Sequence, residues 1–179
     1  MKLNSLILVI LCVAAANLRT LAAFDAFLKI EGVDGESSDR AHAGQIELLA
    51  WNFEMSNTPS VVGGGAGAGK VSVHDLTVTK SLDKATANLM KACATGEHIK
   101  EAVLYVRKAG DKPQEYFKVT FKDVLITSVS ISGSGGNDRP TESLSLNFAS
   151  FKVEYIEPGP KGKNPATSFE WDLSQNRAN

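Results

Sequence analysis

With 179 residues, 43% hydrophobic and 22% charged, the chain has the makeup of one globular domain with a real core. Nineteen basic residues stand against 20 acidic ones, for a formal net charge of −1. No basic stripe dominates, which argues against a nucleic-acid partner.

The first 23 residues stand apart. Lys2 precedes an apolar run over residues 6–13, and Ala14-Ala15-Ala16 follows. A basic residue, a short apolar run and small residues make the pattern of a secretory signal, with cleavage expected after Ala16, Ala22 or Ala23. The run is too short to span a bilayer, so no stable membrane insertion is expected. Leu11 before Cys12 is the wrong residue for a lipoprotein cleavage site. The expected organisation is a signal-peptide-like extension over residues 1–23 and a single domain over residues 24–179. Cleavage would remove Lys2, Arg19 and Cys12, leaving Cys93 as the only thiol. An intramolecular disulfide is then impossible and stability must come from packing; Cys93 itself reads as a small buried hydrophobe.

In chain order, Ala26, Leu28 and Ile30 alternate with Phe27 and Lys29 and predict a largely buried strand. Residues 32–44 carry Gly, Asp, Glu, Ser and Arg and read as a loop. Residues 46–55 return to strand character, with Leu49, Trp51, Phe53 and Met55 on one face as the core signal and Asn52 on the other. A glycine-rich stretch follows, Val62-Gly63-Gly64-Gly65-Ala66-Gly67-Ala68-Gly69-Lys70. Glycine costs backbone entropy, so such a cluster calls for positive φ or close backbone approach to another surface. Over residues 70–79 the apolar parity changes at His74-Asp75, which predicts a β-bulge or a strand buried on both faces.

One helix is predicted, with Asp83 as cap, Leu82 as staple residue and Gly96 closing the far end. Ala85, Leu89, Ala92 and Cys93 form its apolar stripe, and the helix is expected to plug an open end or edge of a barrel. Beyond it, strands are predicted over residues 102–108 and 116–122 as a hairpin, then 124–132, 144–148, 151–156 and 169–173. Evenly spaced antiparallel strands plus one helix predict a mainly β fold: an antiparallel β-barrel of two packed sheets with one flanking α-helix.

Signals for chemistry are weak. Gly64-Gly65-Ala66-Gly67-Ala68-Gly69-Lys70 begins like a phosphate-binding loop. Val71 then occupies the Ser/Thr position, and a strand follows where a helix N-terminus is needed. His42, His74 and His98 lack metal-ligand spacing and read as surface or core-satisfied histidines. No Gly-x-Ser-x-Gly elbow is present, and carboxylates such as Glu31 and Asp34 read as surface neighbours. Neither an enzyme nor a cofactor nor a metal is expected.

Several motifs together resemble the hemolysin-coregulated protein (Hcp) family of bacterial type VI secretion. They include Phe27-Leu28-Lys29-Ile30 with Gly35-Glu36-Ser37, Leu49-Ala50-Trp51, Met55-Ser56, Gly67-Ala68-Gly69-Lys70-Val71 and Asp75-Leu76. Further along are Asn88-Leu89-Met90, Gly96-Glu97-His98-Ile99-Lys100, Val106-Arg107-Lys108-Ala109-Gly110, Ser132-Gly133-Ser134-Gly135-Gly136 and Leu146-Asn147-Phe148-Ala149. The resemblance covers nearly all of residues 24–173. It implies a structural tube subunit: a barrel that forms a homohexameric ring, with rings stacked inside a sheath, tipped by a spike protein, carrying effector proteins and recovered outside the cell.

The same resemblance makes residues 57–69 the loop that contacts the next ring, with Asn57, Ser60, Val61, Val62, Gly63, Gly64, Gly65, Gly67 and Gly69 as its contact residues. It also places Asn52 at a position that faces the lumen. Family members usually start near the equivalent of Ala23, so residues 1–22 are extra. The two explanations are export through the periplasm, or a start assigned too early in a protein assembled in the cytoplasm. The contrasting reading is a secreted binding module outside the secretion apparatus, either ring-forming or a monomeric β-sandwich; its mass in solution separates the monomer from a ring.

Overall fold

A computed structural model describes residues 24–60, 67–110, 113–136, 138–158 and 166–178. The expected leader lies outside these residues. The elements are β1 (Phe24–Ile30), β2 (Ile46–Leu48), β3 (Ala50–Asn52), β4 (Met55–Ser60), β5 (Gly67–Val73), β6 (Leu76–Ser81), α1 (Thr86–Thr95), β7 (Ile99–Lys108), β8 (Gln114–Ser132), β9 (Thr141–Tyr155), β10 (Thr167–Asp172) and β11 (Arg177–Ala178).

The strands pair in one continuous path that runs from β2 through β1, β7, β8, β9 and β6 to β3. β1 lies between β2 and β7, with Leu28 opposite Ile46 on one side and Leu104 on the other. β7 pairs with β8, β8 with β9, β9 with β6, and β6 with β3, all antiparallel. Leu49 alone separates β3 from β2, and its N–H donates to the Thr79 carbonyl at 2.8 Å. The expected mainly β, antiparallel fold is therefore present as a barrel-like wrap of one nine-stranded sheet whose ends, β2 and β3, are joined by the chain at Leu49 rather than by a ladder; β10 and β11 extend it along the second half of β9. β4 and β5 form a separate two-stranded sheet.

The barrel interior explains why these segments are strands. Leu28, Ile46, Leu76, Leu104, Val119, Val124 and Leu144 are completely buried, each side chain contributing about 1.5–3 kcal/mol by leaving water. Phe53 sits edge-on to Phe121, Phe148 and Phe151 at 5.5, 5.9 and 5.0 Å, geometry that adds to area burial.

Two expectations about phase need correcting. Trp51 and Phe53 pack on the core as expected, but Leu49 is 59% exposed and Met55 44%. Ile46 and Leu48 face inward before Leu49, and Trp51 and Phe53 after it. One extra residue turns the chain over where it leaves β1 for β6. Conversely, the parity change at His74-Asp75 is no bulge: β5 ends at Val73 and β6 begins at Leu76. The strands expected at 116–122 and 124–132 are one strand, β8, and those at 144–148 and 151–156 are one strand, β9. Inward residues change from Val119 and Phe121 to Val124 and Ile126 on β8, and from Phe148 to Phe151 on β9. Asp123, at φ 53°, marks this corner. A sheet corner interrupts alternation just as a strand end does, which is why the sequence suggested breaks.

Helix α1 packs on β8. Ala85, Leu89 and Ala92 are buried and Cys93 is half-buried, while Lys84, Asn88 and Lys91 are exposed. Gly96 caps the C-terminus at φ 64°, a left-handed conformation that glycine adopts without a Cβ penalty. Asp83 lies two residues before the cap position. Its carboxylate accepts the Ala85 N–H at 2.9 Å and meets Lys80 Nζ at 2.8 Å. The helix proper begins at Thr86, preceded by Ala85 in helical geometry with no side-chain cap.

Candidate assembly surface

The glycine-rich stretch is built differently from a loop. Its described residues continue a β-ladder, with Met55 opposite Val73, Ser56 opposite Ser72, Asn57 opposite Val71, Thr58 opposite Lys70 and Ser60 opposite Gly67, irregular between Thr58 and Ser60. Asn57, Ser60, Gly67 and Gly69, expected in a loop, lie instead in β4 and β5 of this hairpin arm. Glycines pair in a ladder because its hydrogen bonds need only backbone. Val61, Val62, Gly63, Gly64 and Gly65 lie outside the described residues.

The arm joins the barrel through two short crossings. Phe53 and Glu54 connect β3 to β4, and His74 and Asp75 connect β5 to β6. The His74 N–H donates to the Glu54 carbonyl at 3.0 Å, closing the ladder at its base. At the Asp75 carboxylate, Oδ2 accepts from the Thr127 hydroxyl at 2.6 Å and Oδ1 from Asn147 Nδ2 at 2.8 Å. Asn52 lies on β3 opposite Thr77, exposed, three residues before the arm begins.

The loop over residues 31–45 is tied down by polar contacts. Gly35 is buried so closely against Gln45 that a Cβ would stand 2.3 Å from its carbonyl oxygen. Arg107 of β7 bonds Asp25 at 2.9 Å and Asp39 at 2.7 Å. The Arg107 hydrogen bond is the main cause that lowers the Asp39 pKa from 3.8 to about 2; burial opposes it, and the Ala41 and His42 N–H groups assist. His42 is buried, stacked on Phe27 at 4.2 Å, with Nδ1 at 3.1 Å from Gln45 Oε1 and Nε2 at 3.3 Å from Glu115 Oε1. The Glu115 contact is close but is not a hydrogen bond, so Nε2 is buried without a hydrogen-bond partner among the described residues. His98 is exposed beside Asp123 at 2.7 Å, and His74 is exposed. The three histidines stay apart, and among the described residues no group of His, Cys, Asp or Glu could hold a metal.

A cleft of about 240 Å³ lies beside the start of α1, lined by Glu36, Ser37, Glu47, Leu49, Asp83 and Arg139 among others. Its polar groups are engaged structurally: Arg139 with Glu36 at 3.3 Å, Ser37 with Glu47 at 2.9 Å, and Asp83 with Lys80. Below it Lys80 and Glu142, both wholly buried, meet at 2.9 Å, and the Thr86 hydroxyl donates to the same Glu142 oxygen at 2.6 Å. Sequence reading missed this pair, although a signal existed. Lys80 shares the inward parity of Leu76 and Val78, and Glu142 that of Leu144 and Leu146. An acid and a base on core parity are a candidate buried ion pair. Among the described residues no helix is long and apolar enough to cross a membrane.

A β-rich body with one flanking helix and a separate two-stranded arm places the chain in the fold class of the Hcp structures. The family described as type VI secretion system effector, Hcp, matches residues 27–155. Protein hcp1 of Pseudomonas aeruginosa is 49% identical over 159 residues, spanning 86% of this chain and 98% of that protein. The crystal structure of Hcp1 from Salmonella typhimurium is 36% identical with a TM-score of 0.72, covering 88% of this chain and 100% of that one. A structure described as a type six secretion system protein is 29% identical with a TM-score of 0.81, over 88% and 100% of the two chains. The chain belongs to the Hcp family, and it is a subunit of the type VI secretion tube that self-assembles into rings.

Proposed function

We propose that the β4–β5 arm makes the contact between one hexameric ring and the next. The observation that carries this reading is the arm's independence: a two-stranded sheet that, among the described residues, shares no ladder with the nine-stranded sheet. An isolated hairpin is marginally stable in water, and its two outer edges present unpaired backbone groups. Lying against a neighbouring ring remedies both. Asn57, Ser60, Gly67 and Gly69 take part through the ladder, and the proposed contact also includes Val61, Val62, Gly63, Gly64 and Gly65. Residues poor in side chains let backbone approach backbone, and order gained there costs roughly 1–2 kcal/mol per residue fixed.

Asn52 faces the lumen in this reading and meets the transported effector proteins. Sheath and spike proteins are the remaining partners. The subunit carries rather than catalyses; any enzymatic activity resides in the cargo. Residues 1–23 act as a signal if the protein crosses the periplasm, and sequencing the mature N-terminus in the native cell decides this. The stacking reading is tested by replacing residues 58–69 with a two-residue Asn-Gly turn. The ring mass should persist while stacks disappear on electron micrographs; stacks as abundant as in wild type would refute it.

A further inference from the structure

We infer that Asp75 is a positioning residue that fixes the direction in which the arm leaves the barrel. Both crossings between the two sheets are only two residues long, so the arm's orientation is decided at its root. One crossing is held by packing, through Phe53 inserted among Phe121, Phe148 and Phe151. The other crossing carries no apolar side chain of its own, although Val73 before it and Leu76 after it pack on the core: His74 is exposed and Asp75 only half-buried. Its side-chain tie to the barrel is the Asp75 carboxylate, each oxygen accepting from a different strand, Thr127 on β8 at 2.6 Å and Asn147 on β9 at 2.8 Å.

The barrel is locally shaped for this contact. The β8–β9 register shifts between Ile126 and Ser128, where Ile126 faces Leu146 and Ser128 faces Ser145. Thr127 is the extra residue of that bulge. Bulges re-aim a side chain, and here the re-aimed hydroxyl lies between the Asp75 carboxylate and the Ser145 carbonyl, 3.1 Å away. Two charge-assisted bonds converging from neighbouring strands fix both the distance and the tilt of the crossing, which one bond could not do.

That the clamp matters for stacking rests on the arm reading above; that it orders the arm does not. The test therefore uses two readouts on the full-length ring. In Asp75→Ala and in Thr127→Val, amide hydrogen exchange of peptides covering residues 53–60 and 67–75 should rise by roughly fivefold, the factor expected for losing about 1 kcal/mol of local protection. Exchange in β1 and β7 should stay at wild-type values, confirming an intact barrel. Thr141→Val, which alters a hydroxyl on the same sheet that contacts the Ser132 carbonyl instead, should leave the arm unchanged. Stacks should become fewer in both clamp variants, with the ring mass retained. Unchanged arm exchange overturns the inference whatever the stacks do. If the shortened-arm protein still stacks, the arm reading fails, and the clamp continues to be judged by exchange alone.

Discussion

Lys80 Nζ and Glu142 Oε2 meet at 2.9 Å across β6 and β9, with neither side chain accessible to solvent. The same lysine reaches Asp83 at 2.8 Å and the Ser81 carbonyl at 2.9 Å, so the pair ties the approach to α1 onto the barrel wall. Removing Lys80 strands the buried Glu142 carboxylate, whereas removing Glu142 leaves Lys80 its contact with Asp83. Lys80→Met alone should lower unfolding free energy by about 3–5 kcal/mol, read from urea denaturation, Glu142→Leu alone should cost less, and the double replacement should recover much of the Lys80→Met loss. Equal losses in Lys80→Met and the double variant would mean that the pair itself stabilises the fold.

Acid should loosen the loop over residues 31–45 before it unfolds the barrel. The Asp39 carboxyl is held at about 2 rather than 3.8, chiefly by its hydrogen bond from Arg107. A depressed folded-state pKa gives stability that is fully present above the unfolded value and is lost as pH falls through the folded one. The window is thus roughly pH 4 down to 2. Denaturation midpoints measured across it should drop in the wild type, and Asp39→Asn should flatten that slope while being less stable at neutral pH. An identical slope in the variant would assign the acid sensitivity elsewhere.

Gly35 is required for close approach rather than for an unusual φ. A Cβ there would lie 2.3 Å from the Gln45 oxygen and 2.5 Å from its carbon, both backbone atoms with little room to yield. Gly35→Ala should cost about 2 kcal/mol or more, in the range of overpacking. Thermal melting of the ring would detect it. A variant as stable as wild type would mean that the 31–45 loop shifts freely, contrary to its hydrogen bonds from Gly35 to Gly44 at 2.8 Å and from Ser37 to Gln45 at 3.0 Å.

Much of this fold is legible in the sequence where one rule acts alone. A short, largely buried apolar run marks β1, and the stripe Ala85, Leu89, Ala92 with Gly96 marks α1, because local pattern and burial agree there. Corners are not legible. At Leu49 and around Asp123 the inward face changes because the strand changes neighbour, and nothing local separates that from a strand end. The arm is half legible: its glycines mark it as unusual, but their composition hid the ladder that pairs Asn57 with Val71 and Ser60 with Gly67. The Asp75 clamp could not be read at all. Thr127 and Asn147 lie 52 and 72 residues away, brought to Asp75 only by the pairing of β6 with β9 and of β9 with β8.

Phe53 offers a check on the other root of the arm. Its ring is the hub of the three edge-on contacts with Phe121, Phe148 and Phe151. Phe53→Ala should destabilise the barrel by about 2–4 kcal/mol, less than a fully buried phenylalanine because the ring is only partly enclosed. Phe53→Leu should restore most of that. Denaturation of the two variants side by side distinguishes a packing role from a purely local one; a negligible loss in Phe53→Ala would show that the aromatic cluster stands without it.

The most direct measurement is the mass and shape of the purified residues 24–179 across a range of concentrations, by sedimentation and electron microscopy. Rings of six subunits should form at low concentration and pile end to end as concentration rises, with the piling abolished when the arm is shortened. A species that remains a single subunit throughout would contradict the assignment to a ring-forming tube, and stacks that survive loss of the arm would contradict the arm as the contact between rings.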